Sequence, residues 1–138
     1  MKKLSIFIIL LLILGAIFYS WPKNKENNIN SAVALSQNWE VSFQFSETDS
    51  NNISFSWPNQ LSLAKITELI SQKESWDYKF EDYDEMGILV SRIKDKKNGS
   101  DQKYWQYFID GQQPQISADK YFPRNDAHIE WKFIKSEF

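Results

Sequence analysis

The sequence predicts an α+β domain, one helix packed on a mostly antiparallel sheet, preceded by an N-terminal transmembrane helix. Three observations carry that prediction. Leu4 to Trp21 is apolar on every side. From Trp39 onward, short runs alternate apolar and polar residues, the period of half-buried strands. One stretch alone, after Ser62, changes to helical spacing.

The apolar stretch follows Met1-Lys2-Lys3, and Ser5 and Ser20 are its only clearly polar members. About 18 residues is near the lower limit for a helix that spans a bilayer. A cleaved secretory signal has the same basic start and apolar middle, but no good pair of small residues stands at its end. Tyr19 and Trp21 suit the headgroup region. An uncleaved signal anchor over residues 1–21 is therefore preferred, with secretion after cleavage as the alternative. A long domain behind a two-lysine start places the C-terminal part outside the cytoplasm. Pro22 to Asn38, rich in Asn, Lys and Ser, reads as a flexible tether, which leaves 39–138 as the domain.

Within the domain, Trp39, Val41, Phe43 and Phe45 share one face of a first strand. Glu47 to Asn52 is a polar turn, and Ile53, Phe55 and Trp57 mark a second strand, ended by Pro58; the two form a hairpin. Ser62 offers an N-cap for a helix of about 12 residues with Leu63, Ile66, Leu69 and Ile70 inward and Lys65, Glu68 and Gln72 outward. Trp76, Tyr78 and Phe80 alternate as a strand. After the acidic turn of Glu81, Asp82, Asp84 and Glu85, relieved by Gly87, Ile88 to Ile93 is the next strand, with Leu89 and Ile93 on one face. The charged loop from Lys94 to Lys103 carries Asn98-Gly99, a hairpin signal. Tyr104 to Ile109 is a strand closed by Asp110-Gly111, a loop with two prolines follows, and Ile129, Trp131 and Phe133 complete the chain as a last strand.

Composition narrows the chemistry. Of 138 residues, 22 are Phe, Tyr or Trp, and none is Cys. Disulfides, thiolate metal sites and a Cys nucleophile are excluded, and the single His rules out any two-imidazole centre. Lys2 and Lys3 precede the apolar stretch, so the rest of the chain has 14 bases against 18 acids, a net −4. That balance argues against nucleic acid, which asks for a basic face.

One pattern in the C-terminal third is familiar. It comprises Tyr104-Trp105-Gln106-Tyr107-Phe108-Ile109-Asp110-Gly111, then Ala118-Asp119-Lys120-Tyr121-Phe122-Pro123-Arg124-Asn125-Asp126, then His128-Ile129-Glu130-Trp131-Lys132-Phe133. It resembles the transcobalamin-like C-terminal domain, the DUF4430 family, and is similar to the β-domain of intrinsic factor and transcobalamins. The likeness spans Trp39 to Phe133 in architecture and Tyr104 to Phe133 in detail. It implies a β-grasp-like fold. In the vitamin B12 carriers the domain caps a corrinoid held mainly by a separate helical-barrel domain, which these 138 residues do not encode. The resemblance points to the loop after the aromatic strand, Asp110, Gly111, Gln112 and Gln113, with Pro114 shaping it, and implies cobalamin as a ligand, with no cofactor required. Relatives usually have Gly-Asp where this chain has Asn125-Asp126; Asn tolerates the left-handed backbone that Gly would supply.

Trp105, Tyr107, Trp131 and Phe133 have the make-up of an aromatic platform for a planar ligand or sugar. Period-two aromatics more often pack a core, and packing is the favoured reading, with Trp105 and Tyr107 kept as binding candidates. The opposite face, Tyr104, Gln106 and Phe108, is either helix-covered or partly exposed. The acids from Glu81 to Glu85 lack the loop spacing of a calcium site, and adjacent carboxylates on a turn lack the fixed separation of a glycosidase pair. His128 has Asp126 and Glu130 nearby but no nucleophile elbow, and is expected on the surface. Without a nucleophile–base pair or a metal cluster, the expected function is a non-enzymatic binding module on the outer side of a membrane, its ligand a small molecule or a glycan. The alternative is a protein-interaction or structural module of the cell envelope that uses its strand edges.

Overall fold

The computed structural model describes residues 36–136. The expected signal anchor and residues 22–35 of the expected tether lie outside that range. Among the described residues no helix is long and apolar enough to cross a membrane.

Strand β1 (Gln37–Gln44) and β2 (Ser50–Trp57) form the expected hairpin in an unbroken register from Gln37–Trp57 to Gln44–Ser50. The Phe45 N–H donates to the Asp49 carbonyl (2.9 Å) to close it. β1 begins two residues inside the segment read as tether, because Asn38 is held at both ends: its N–H donates to Asn125 Oδ1 (2.7 Å) and its carbonyl accepts from the Asp126 N–H. Helix α1 (Leu63–Lys73) starts at Ser62, whose hydroxyl accepts from the Lys65 N–H. Its buried face is Leu63, Ala64, Ile66, Thr67, Ile70 and Ser71.

Strands β3 (Tyr78–Asp82), β4 (Ile88–Ile93) and β5 (Lys96–Lys97) form a small antiparallel sheet of their own. Strands β6 (Lys103–Ile109) and β7 (His128–Lys135) join the first hairpin in a four-stranded sheet ordered β2-β1-β7-β6. In that sheet β1 and β7 run parallel, with Val41 beside Ile129 and Phe43 beside Trp131, while the outer pairs are antiparallel. Among the described residues there is one α-helix, as expected for the domain, but two sheets instead of one, and the main sheet is mixed.

Two local features explain the split. Lys79 pairs with Arg92 but Phe80 with Val90, so Ser91 is an extra residue in β4. Such a bulge shifts the phase of the strand: Val90 and Ile93 both turn inward, while Leu89, expected on one face with Ile93, is 43% exposed and Phe80 is 51% exposed. The second feature is Asn98. The hairpin after β4 turns at Lys94-Asp95, where Ile93 pairs with Lys96, and not at Asn98-Gly99. Asn98 instead bridges β4 and β6: its Nδ2 donates to the Val90 carbonyl (2.9 Å) and its Oδ1 accepts from the Trp105 N–H (2.8 Å). One side-chain amide stands where strand-to-strand pairing would otherwise continue.

The core lies between α1 and the main sheet, and aromatic rings fill much of it. Trp76 meets Phe43 (5.1 Å between centroids) and Phe45 (5.5 Å) edge-on, and Trp105 contacts Phe45, Trp131 and Phe133. Trp131 Nε1 donates to Thr67 Oγ1 (2.8 Å), which donates to the Leu63 carbonyl (2.8 Å), so the indole N–H buried under the helix is satisfied.

Candidate functional site

The connection from β6 to β7 is tied down at three points, and these ties shape the site. Asp110 and Gly111 both take positive φ (50° and 80°), and reciprocal bonds between Ile109 and Gln112 close a two-residue turn. The Asp110 carboxylate accepts from the His128 N–H (3.1 Å) and from Arg124 Nη2 (3.0 Å). The His128 N–H holds this carboxyl below the usual range; desolvation opposes it, and Arg124 adds to the lowering. Next, the Tyr107 hydroxyl donates to the Ile116 carbonyl (2.5 Å). Burial, with Tyr121 and Asp119 nearby, pushes that phenol well above its ordinary range. Last, Ser117 and Asp119 clamp β4: Ser117 Oγ donates to the Ile88 carbonyl (2.7 Å), and the Ile88 N–H reaches Ser117 Oγ (2.9 Å) and Asp119 Oδ1 (3.1 Å). Gly87, at φ +94° and ψ −159°, lies directly against this clamp; a Cβ there would be 2.6 Å from Ser117 and Asp119 atoms.

Between the tied loop, β4 and the outer edge of β6 lies a cleft of about 670 Å3. Four consecutive residues, Tyr104 to Tyr107, line it, so it runs along the edge of β6 and not over one face. Trp105, Tyr107 and Trp131 are its buried aromatic floor, and Leu89, Tyr104 and Ile116, all more than 40% exposed, are its apolar rim. Its polar lining includes the amides of Gln102, Gln106 and Gln113 and the hydroxyls of Ser117 and Ser136, and Gln113 Nε2 donates to Gln106 Oε1 (3.1 Å). Among the described residues no carboxylate, imidazole, ammonium or guanidinium lines it. Along the strand edge, the Trp105 N–H is taken by Asn98 and the Ile109 N–H by the Gln112 carbonyl. By the alternation of an antiparallel ladder, the Tyr107 backbone between them faces the cleft.

The residues singled out from sequence divide cleanly. Gln113, Pro114, Trp105 and Tyr107 line the cleft; Asp110, Gly111 and Gln112 do not, and the Asp110 carboxylate is engaged in holding the loop to β7. All four platform aromatics are under 9% exposed and pack the core, and three of them, Trp105, Tyr107 and Trp131, also floor the cleft. The left-handed residue before β7 is Asp126 (φ 61°), not Asn125, whose Oδ1 is needed by Asn38. Sequence reading missed the β4 wall, Leu89 in particular, because alternation set Leu89 on one face with Ile93 and the bulge that separates them has no sequence signal of its own. Gln106 was placed on the opposite face of its strand, without the recognition that a cleft along an edge meets both faces.

A second hollow, of about 430 Å3, gathers Asn38, Glu40, Ser54, Ser56, Asp126 and His128 beside the rings of Trp39 and Phe55. His128 is exposed there, and none of the described hydrogen bonds reaches its ring. The acids around residues 81–85 are exposed, with Glu81 accepting from the Tyr83 hydroxyl (2.9 Å) and Asp82 from the Asp84 N–H (2.9 Å). Among the described residues no group of three or more His, Asp or Glu side chains is placed to hold a metal ion.

No curated protein matches this sequence. Solved structures share its fold. A proposed metal binding protein from Ruminococcus gnavus superposes with a TM-score of 0.58 at 17% identity, over 72% of this chain and 98% of that one. Haptocorrin in complex with Cbi superposes with a TM-score of 0.60 at 15% identity, over 72% of this chain but only 25% of haptocorrin. The model of the DUF4430 family, described as a domain of unknown function, matches residues 62–135, from the helix cap through β7 and more than half of the chain. This chain belongs to the DUF4430 family.

Proposed function

We propose that this domain is a non-enzymatic binding module, tethered to the outer side of a membrane by its N-terminal segment, that holds an uncharged small molecule in the cleft beside β6. The observation that supports this reading is the lining: an aromatic floor, an apolar rim and three glutamine amides, with no formally charged side chain among the described residues that line it. A volume of about 670 Å3 is within the range of small-molecule sites. Desolvating an ion there would go uncompensated, whereas a neutral ligand with amide or hydroxyl groups finds donors and acceptors. Haptocorrin, a structural neighbour, was solved in complex with Cbi. A corrinoid is therefore the first ligand to try, and a neutral glycan the second.

Binding is favoured over catalysis by the state of the hydroxyl nearest a carboxylate. Ser117 Oγ is engaged with both backbone groups of Ile88 and with Asp119. Partial burial pushes Asp119 up, but the Ser117 hydroxyl, whose one proton is shared between Asp119 and the Ile88 carbonyl, together with the Ile88 N–H and the N–H of Asp119 itself, outweighs that and holds it below the usual carboxylate range, which makes it a poor base.

The test is calorimetric titration of the detergent-solubilised full chain with a corrinoid panel that includes Cbi, followed by neutral oligosaccharides. Saturable binding that Gln106→Ala weakens by about tenfold, roughly one charge-free hydrogen-bonded contact, supports the reading. Absence of heat across both panels at millimolar ligand would contradict it.

A further inference from the structure

We propose that β2 is the interface of a two-fold dimer in which two copies of this chain pair edge to edge into one continuous eight-stranded sheet. β2 is the outer strand of the main sheet, and its eight residues, Ser50 to Trp57, include no charged residue and no proline. Its register with β1 has no bulge. Sheet edges are ordinarily blunted by lysines, prolines or bulges, because an open ladder templates another strand. β2 has none of these devices, and among the described residues no backbone hydrogen bond reaches its outer side.

The geometry fixes the register. The Phe45 N–H donates to the Asp49 carbonyl, so odd-numbered residues of β2 turn their backbone groups to β1, and those of Asn52, Ser54 and Ser56 point outward. A two-fold axis normal to the sheet through Ser54 pairs Ser54 with Ser54 of the second copy, and Asn52 with Ser56 in both directions. All the outward donors and acceptors of these three residues are then matched. On the helix side, the same register sets Ile53 against Phe55 of the other copy twice. Both side chains are only partly buried in the single chain, though they pack against its core.

A second copy is the occupant because the strand is largely its own complement: Ile53 meets Phe55 at the centre of one face, with Asn51 opposite Trp57 at its ends, small polar residues meet on the other face, and no like charges oppose each other across the axis. Pairing of this kind closes at two. The opposite edge of the sheet, β6, is already occupied at Trp105 by Asn98 and at Ile109 by Gln112, so the sheet offers one open edge and not two. The contact is small beside a standard interface, and association is correspondingly weak and concentration-dependent.

The chain has no native cysteine, which makes the test clean. In the full chain in detergent, Ser54→Cys should form a disulfide-linked dimer under mild oxidation at least about tenfold faster than Ser100→Cys, an exposed control on the β5–β6 connection. By sedimentation, the wild type should dimerise and Ser54→Lys, which sets two ammonium groups directly opposite, should not. Ser54 is exposed, so an unchanged near-ultraviolet circular dichroism spectrum verifies that the lysine variant is folded. Equal cross-linking rates for the two cysteine variants would overturn the proposal. So would a wild type that stays monomeric up to roughly 1 mM, or a dimer that persists in Ser54→Lys.

Discussion

Replacing Gly87 by alanine tests how β4 and the loop together build the cleft. The φ and ψ of Gly87 (+94° and −159°) fall in a region that is essentially closed to residues with a Cβ, at a cost of about 1–3 kcal/mol. The new methyl would also sit 2.6 Å from Ser117 Cβ, Ser117 Oγ and Asp119 Oδ1, where ordinary contact is 3.4–4 Å. Relieving that overlap means displacing the clamp on Ile88, a further loss of about 1–3 kcal/mol of the overpacking kind. The sum is about 2–6 kcal/mol. Gly99→Ala is the matched control: its φ is +88°, but nothing lies within 4 Å of the added methyl. It should cost only the left-handed penalty, about 1–2 kcal/mol. Because both substitutions restrict the unfolded chain alike, their difference reports the close approach of Gly87 to the clamp. Urea denaturation followed by tryptophan fluorescence measures both. Equal losses for the two variants would refute the geometry assigned to the Ser117–Asp119 clamp.

Thr67→Val keeps the shape of the helix face but removes the acceptor for the buried Trp131 N–H, and should cost about 1–3 kcal/mol in the same denaturation assay. Asn98→Ala leaves the Val90 carbonyl and the Trp105 N–H without their partner and should cost about 2–4 kcal/mol, with faster amide exchange at Trp105 read by NMR. Tyr107→Phe deletes one bond to Ile116 and should lower stability by about 1–2 kcal/mol while speeding amide exchange in the loop from Gln113 to Ser117. The lowered pKa of Asp110 means that its contribution is present above its ordinary value near 3.8 and is lost as pH falls through the still lower folded value. The stability difference between the wild type and Asp110→Asn should therefore be constant from pH 5 to 7 and shrink in urea titrations at progressively lower pH.

Much of the fold was readable because its determinants are local. Alternation in Trp39 to Phe45 and in Ile129 to Phe133 marks strands with one buried face, and Ser62 marks a helix start through its own hydroxyl. What stayed hidden depends on partners far along the chain. The parallel pairing of β1 with β7 joins residues about ninety positions apart. The bulge at Ser91 parts Leu89 from Ile93, expected on one face, and a bulge follows from the register of the neighbouring strand. The role of Asn98 illustrates this most clearly. Asn-Gly is rightly read as a turn, with Gly99 left-handed, yet the Asn side chain serves as a strut between two sheets. At the candidate site, the aromatic strand was accessible from sequence. Gln113 came with the family likeness, together with Asp110 to Gln112, which the fold uses to fasten the loop or leaves off the lining.

That division gives the most direct measurement. The full chain carrying Gln113→Ala or Gln112→Ala is titrated with Cbi and compared with the wild type. Gln113 lines the cleft and bonds Gln106, whereas Gln112 lies on the exposed turn outside it. The account predicts saturable binding to the wild type, weakened about tenfold by Gln113→Ala and unchanged by Gln112→Ala. Binding that depends on Gln112 and ignores Gln113 would place the ligand outside the cleft and contradict the account.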